Sequence, residues 1–193
     1  MSRLSAPQTV GPFFSDGLLR DDTRVLAAEG EPGRHIRIEG RVLDADGAGV
    51  PDAMIELWQA DAQGRYNHPA ALPFAGDGGA FLGWGRAGTD EDGRYWFTTV
   101  VPGPVPFPAG DPQAPHIVVQ VFARGLLDHL TTRLYFADLP ATQRDPLLAT
   151  LPPQRRATLL AVAEGQDTYR FDIVLQGHDE TVFFDVAGRR GGS

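Results

Sequence analysis

Apolar and polar positions alternate along this chain in seven short runs, at residues 34–43, 53–60, 94–101, 116–123, 130–136, 168–176 and 181–186. A period of two marks an extended strand with one face buried and the other wet. In the run 168–176, Tyr169, Phe171, Ile173 and Leu175 fall on one face, while Arg170, Asp172 and Gln176 fall on the other. Asp46-Gly47, Gln63-Gly64 and Asp92-Gly93 sit where hairpins need a residue tolerant of positive φ. The pattern predicts an all-β fold, an antiparallel β-sandwich with long loops and one or two short helices. The persuasive helix is 153–164, which opens on a proline and is rich in good helix formers. Residues 1–33 and 67–90 carry no period and many Gly, Pro and Ala residues, so both read as long loops. The expected organisation is an N-terminal arm at 1–33 serving an interface and a pocket, a sandwich domain at 34–187 and a flexible tail at 188–193.

At 193 residues and 42% hydrophobic, the chain is long enough for one sizeable core and too short for two ordinary domains. A net charge of −8 without basic runs argues against nucleic acid and anionic membrane partners. There is no cysteine, which removes disulfides and thiolate metal sites. The N-terminal Met-Ser-Arg-Leu-Ser-Ala-Pro-Gln lacks the apolar core of a signal peptide, so a cytoplasmic setting is expected. Serine occurs only at positions 2, 5, 15 and 193, none in a nucleophile-elbow context, and no phosphate-binding glycine loop is present. Asp90-Glu-Asp92 reads as a solvated turn rather than a calcium site.

The most informative stretch runs from Pro102-Gly-Pro-Val105 to Ala-Pro-His116-Ile-Val118. Together with Leu57-Trp-Gln-Ala-Asp-Ala-Gln-Gly-Arg-Tyr66, Thr89-Asp-Glu-Asp-Gly-Arg-Tyr-Trp-Phe97, Tyr169-Arg-Phe-Asp-Ile173 and Glu180-Thr-Val-Phe-Phe184, it resembles the intradiol ring-cleaving dioxygenases over most of the chain. In that family two tyrosines and two histidines hold a ferric ion. By the resemblance, Tyr66 and His116 match one ligand of each kind, whereas Val105 and Val118 stand where the other tyrosine and histidine belong. A valine methyl group has no lone pair to offer, and two protein donors make a poor ferric site. On a strand, positions 116 and 118 share a face, so the geometry of a His-x-His pair survives without its second donor. The alternative reading of Tyr66 and His116 is a hydrogen-bonded strand tyrosine and a core histidine.

What the resemblance implies is therefore a metal-free subunit. Its expected partner is a homologous β subunit that carries Fe(III), and its expected substrate is a small aromatic. Gln8-Thr-Val-Gly-Pro-Phe-Phe14 resembles the family's Thr-x-Gly-Pro-Tyr segment, so Thr9, Gly11, Pro12 and Phe13 are expected at a pocket shared across the subunit boundary. Phe13 lacks the hydroxyl usual there. Arg133 shares a strand face with Thr131 and Tyr135, and a guanidinium is well shaped to take an aromatic carboxylate in two contacts. An ordinary polar strand face is the other reading of Arg133. Two further functions stay open at this point: a non-enzymatic sandwich, and a self-sufficient enzyme with a metal site built from Tyr66, His68 and His116.

Overall fold

The structure is a computed structural model that describes residues 17–67, 81–106 and 111–185. Its strands are β1 (His35–Leu43), β2 (Met54–Gln59), β3 (Trp84–Gly88), β4 (Arg94–Val100), β5 (His116–Phe122), β6 (Leu130–Phe136), β7 (Leu160–Ala163), β8 (Thr168–Arg170) and β9 (Ile173–Val174). They pair in the order β3-β2-β5-β6-β7-β8-β1-β4, with β9 also on β1, in a nearly closed mixed sheet. The expectation of mostly strands with few helices holds. The expectation of purely antiparallel pairing needs correction, because β6–β7, β1–β8 and β1–β9 are parallel. A parallel neighbour requires a crossover rather than a hairpin. Between β6 and β7 that crossover is made by the 3₁₀ turns Pro140–Arg144 and Leu148–Thr150 and the helix α1 (Pro153–Ala157).

The expected helix 153–164 stops early. Only Pro153–Ala157 is helical, and the rest becomes β7. Leu159 and Ala161 are fully buried, and the pairing of β7 with β6 and β8 overrides a modest helical preference. The run 168–176 is interrupted at Phe171, whose carbonyl accepts from the Tyr95 hydroxyl at 2.5 Å, while Asp172 accepts from the Arg41 amide at 3.0 Å. Residues 181–185 form no strand: the Thr181 amide bonds Val174, the Val182 carbonyl accepts from Thr132 and the Phe184 amide bonds Thr131. Val186 lies outside the described residues. The expected loops at 1–33 and 67–90 contain the 3₁₀ turn Asp21–Arg24 and strand β3. Gly47, Gly64 and Gly93 all take positive φ, as their turn positions require.

The core follows the two-residue period. Ile36, Ile38, Ile55, Leu57, Phe97, Ile117, Val119, Leu134, Phe136 and Phe171 point inward and are almost wholly buried, each contributing roughly 1.5–3 kcal/mol. A second cluster of Ala114, Tyr135, Leu148, Leu159 and Val182 packs under the crossover. No helix among the described residues is long and apolar enough to cross a membrane.

Candidate functional site

The functional side chains sit on the face of β2, β5 and β6 that turns away from the main core. Register sets their order: Trp84 opposes Trp58, Trp58 opposes Val118, and Val118 opposes Arg133. Directly opposed residues share a face with Cβ atoms about 4.5–5.5 Å apart. The row on one side holds His116 beside Tyr135, and the row on the other holds Glu56, Gln120 and Thr131. His116 and Val118 therefore share a face.

Tyr66 reaches this face from the turn after β2. Asp61 organises that turn, accepting from the amides of Gln63 and Arg65 at 2.8 and 2.9 Å and from Arg65 Nε at 2.9 Å. Gly64, at φ +80°, lies so close to the 102–105 loop that an added Cβ would stand 2.1 Å from the Pro104 carbonyl oxygen. The Gly103 amide donates to Asp61 O at 2.8 Å, so the segments bearing Tyr66 and Val105 pack as one unit. The Tyr66 ring stacks on Trp58, with centroids 5.9 Å apart and planes 9° apart. Val105 is buried and exchanges backbone hydrogen bonds with Gln113 at 2.9 and 3.1 Å.

Arg133 stands opposite Val118 in the ladder, and its charge acts on Tyr66 and His116. Its Nη1 donates to Gln113 Oε1 at 2.7 Å and to the Tyr135 hydroxyl oxygen at 3.3 Å. Burial pushes the Tyr66 phenol above its usual range, and the Arg133 charge pulls against that shift. Tyr135 is pushed up to about 12, again by burial first, with Arg133 opposing. His116 is held down to about 4 by burial and then by Arg133. Its Nδ1–H donates to the Ala114 carbonyl at 2.8 Å, and its ring lies 5.6 Å from that of Tyr135. Near neutral pH the pocket therefore holds a neutral imidazole, protonated phenols and one fixed cation.

Behind the pocket, buried Asp145 accepts from the amides of Ala114, Leu147 and Leu148 at 2.8–3.0 Å and from the Tyr135 hydroxyl at 3.3 Å. Asp145 and Gln113 carry no recognisable signal in one sequence, because their roles come from contacts distant along the chain. The signal for Tyr135 is its period-two relation to Arg133.

These residues do not fit a ferric ion. Val105 and Val118 present no donor, and a guanidinium lies among the two remaining candidates, where its charge repels a metal cation. The described residues contain no group of three His, Cys, Asp or Glu that could hold a metal. His68, Thr9, Gly11, Pro12 and Phe13 lie outside the described residues. A cleft of about 730 Å³ opens elsewhere over β1, β4 and β8. Its Arg37 and Arg170 are paired with acidic groups, and Arg24 and Arg37 stack on Trp96. It contains none of the four matched ligand positions. Asp90 is likewise accounted for by its turn, accepting from the Asp92 and Arg94 amides.

The chain is similar to known proteins over most of its length. The family described as Dioxygenase matches residues 9–177. A protocatechuate 3,4-dioxygenase alpha chain from Burkholderia cepacia is 43% identical, covering 93% of this chain and 95% of its own. The beta chain from the same organism is 38% identical, covering 83% of this chain and 73% of its own. Among solved structures, the mercury-inhibited catechol 1,2-dioxygenase of Acinetobacter sp. ADP1 superposes with a TM-score of 0.61 at 26% identity, over 78% of this chain and 55% of that one.

Proposed function

The chain belongs to the intradiol ring-cleaving dioxygenase family, and from that premise we propose that it is the alpha subunit of a protocatechuate 3,4-dioxygenase. The assembled enzyme opens protocatechuate with O2 to 3-carboxy-cis,cis-muconate, and the Fe(III) is held by a homologous beta subunit. The setting is cytoplasmic. The observation that carries the reading is the pocket: two of four matched ligand positions are valines, and Arg133 stands opposite Val118 with its charge acting on Tyr66 and His116. Separate naming of alpha and beta relatives supports a hetero-oligomer.

Within this reading the alpha chain contributes recognition rather than redox chemistry. Arg133 supplies the positive charge that favours a carboxylated ring, and Thr9, Gly11, Pro12 and Phe13 line a pocket wall across the subunit boundary. The arm at 1–33 and the body at 34–187 divide these tasks. The test is iron per chain and oxygen uptake on protocatechuate, for this chain alone and after co-expression with a beta chain. Iron and turnover confined to the complex are expected. Stoichiometric iron with turnover in the lone chain overturns the assignment of the metal to the partner.

A further inference from the structure

The cleft of about 730 Å³ over β1, β4 and β8 is basic, although the chain as a whole carries a net charge of −8. Arg24, Arg37, Arg41, Arg94 and Arg170 all line it, against three carboxylates that the protein already engages. Asp90 accepts from two amides of its own turn, Glu39 pairs with Arg37, and Asp172 accepts from the Arg41 amide and pairs with Arg170. Arg94 is paired with Asp92 at the cleft edge. Arg24 and Arg41 form no ion pair among the described residues, so the cleft keeps an excess of positive charge.

Local contacts hold these guanidiniums without using all their donors. The Trp96 ring carries Arg37 at 4.6 Å and Arg24 at 5.4 Å. Arg37 Nε donates to Glu39 at 2.6 Å, and Arg41 Nε donates to the Asp92 carbonyl at 3.0 Å. The Nη groups of Arg24, Arg37 and Arg41 have no hydrogen-bond acceptor among the described residues. Register divides the charge between two ends of the cleft. Arg41 and Arg94 are directly opposed in the β1–β4 ladder, where like charges repel. Arg37 lies four residues along β1 from Arg41, about 13 Å at roughly 3.3 Å per residue, and Arg24 joins it over Trp96. A compact anion meets one end, whereas an anion with several carboxylates reaches both.

Ring opening as described above turns the two hydroxylated carbons of a monocarboxylate into two further carboxylates, so its product is a tricarboxylate. We propose that the cleft over β1, β4 and β8 binds small tricarboxylates of that ring-opened class, with one carboxylate at Arg24 and Arg37 and another at Arg41 and Arg94. Its volume falls within the roughly 300–1,000 Å³ usual for small-molecule sites. The choice of ligand rests on the function given above, while the site rests on the arginines alone.

The probes are 3-carboxy-cis,cis-muconate and the unrelated tricarboxylate trimesate, with benzoate and inorganic phosphate as controls that carry a single anionic group. Each is titrated calorimetrically, at constant ionic strength, into the full chain and into its complex with a beta chain. Saturable binding of both tricarboxylates is expected, with benzoate and phosphate at least about tenfold weaker. Arg24→Gln and Arg41→Gln should each weaken it by about fivefold or more, and either variant suffices if the other does not fold. Arg124→Gln removes the same charge from an exposed ion pair with Asp52 outside the cleft, and it should leave binding unchanged. Absence of saturation, equal affinity for phosphate, or an equal loss in Arg124→Gln overturns the site. Loss of binding once the beta chain is present makes this face a subunit interface and also overturns it. Binding of both tricarboxylates by a complex that does not open protocatechuate retains the site and overturns its assignment to the product.

Discussion

Replacing His116 by glutamine should change how stability depends on pH, and the size of the change follows from burial. The imidazole is 2% exposed, and its pKa falls from 6.5 in the unfolded chain to about 4 in the fold. Burial is the main cause. The Arg133 charge adds to it, while the hydrogen bond to Ala114 and the Asp145 carboxylate partly oppose it. Between pH 4 and 6.5 the unfolded chain binds a proton that the folded chain does not, so stability falls as pH falls through this window. A depression of this size corresponds to about 3 kcal/mol at 1.36 kcal/mol per unit. Above pH 6.5 the contribution is complete, and below pH 4 the loss levels off.

The assay is urea unfolding with linear extrapolation at pH 7, 5.5 and 4, on the unaltered chain and His116→Gln. The variant starts less stable, but the carboxylates titrate equally in both, so they cancel in the difference between the two pH profiles. The unaltered chain should lose about 3 kcal/mol more than the variant between pH 7 and pH 4. Parallel profiles refute the reasoning, because they mean that His116 takes up its proton without cost to the fold.

Asp145→Ala removes the acceptor of three backbone amides and of Tyr135. A loss of about 3 kcal/mol or more is expected by urea unfolding. Gln59→Leu strands the Thr99 hydroxyl and the Val100 carbonyl, which the buried Gln59 amide now satisfies at 2.8 and 3.0 Å, and should cost about 2 kcal/mol or more. Gly40→Ala places a Cβ 1.9 Å from the Phe171 carbonyl oxygen, so a loss of at least about 2 kcal/mol is expected in thermal or urea unfolding. Restoring donors with Val105→Tyr and Val118→His should still leave iron well below one per chain by elemental analysis. Adding Arg133→Leu to that pair should bring it toward one.

The period-two pattern located most strands because each has one face in the core, and that face is written locally as Ile36, Ile38 and Val42 or as Ile117, Val119 and Val121. What the pattern could not carry was pairing direction. Nothing in Leu160-Ala-Val-Ala163 announces that it lies parallel to β6, and Leu159 and Ala161 are as compatible with a helix as with a strand until their burial is known. Strand β3 escaped notice because Trp84-Gly-Arg-Ala-Gly88 has two glycines where strand-formers are usual. The structure supplies their reason: Leu26 and Leu19 side chains pack where Gly85 and Gly88 lack a Cβ. For the site, the two valines were legible as missing donors. The surroundings of Arg133 were not, since Tyr66 and the 113–116 stretch reach it from two separate segments.

That convergence joins the pocket's side chains through the protein's own bonds. A metal cation would bind the phenol of Tyr66 and the imidazole of His116 as lone-pair donors, and buried polar atoms need partners of their own without one. Here the Tyr135 hydroxyl bonds Arg133 and Asp145, the His116 Nδ1–H bonds Ala114 and the Tyr66 ring stacks on Trp58. The two valines replace donors with surface that needs none, and Val105 keeps its backbone bonded to Gln113, which in turn holds Arg133. A guanidinium offers one positive charge against three for ferric iron, and it donates hydrogen bonds instead of accepting lone pairs. The protonated phenols and neutral imidazole follow from burial, and the guanidinium beside them supplies the pocket's fixed positive charge.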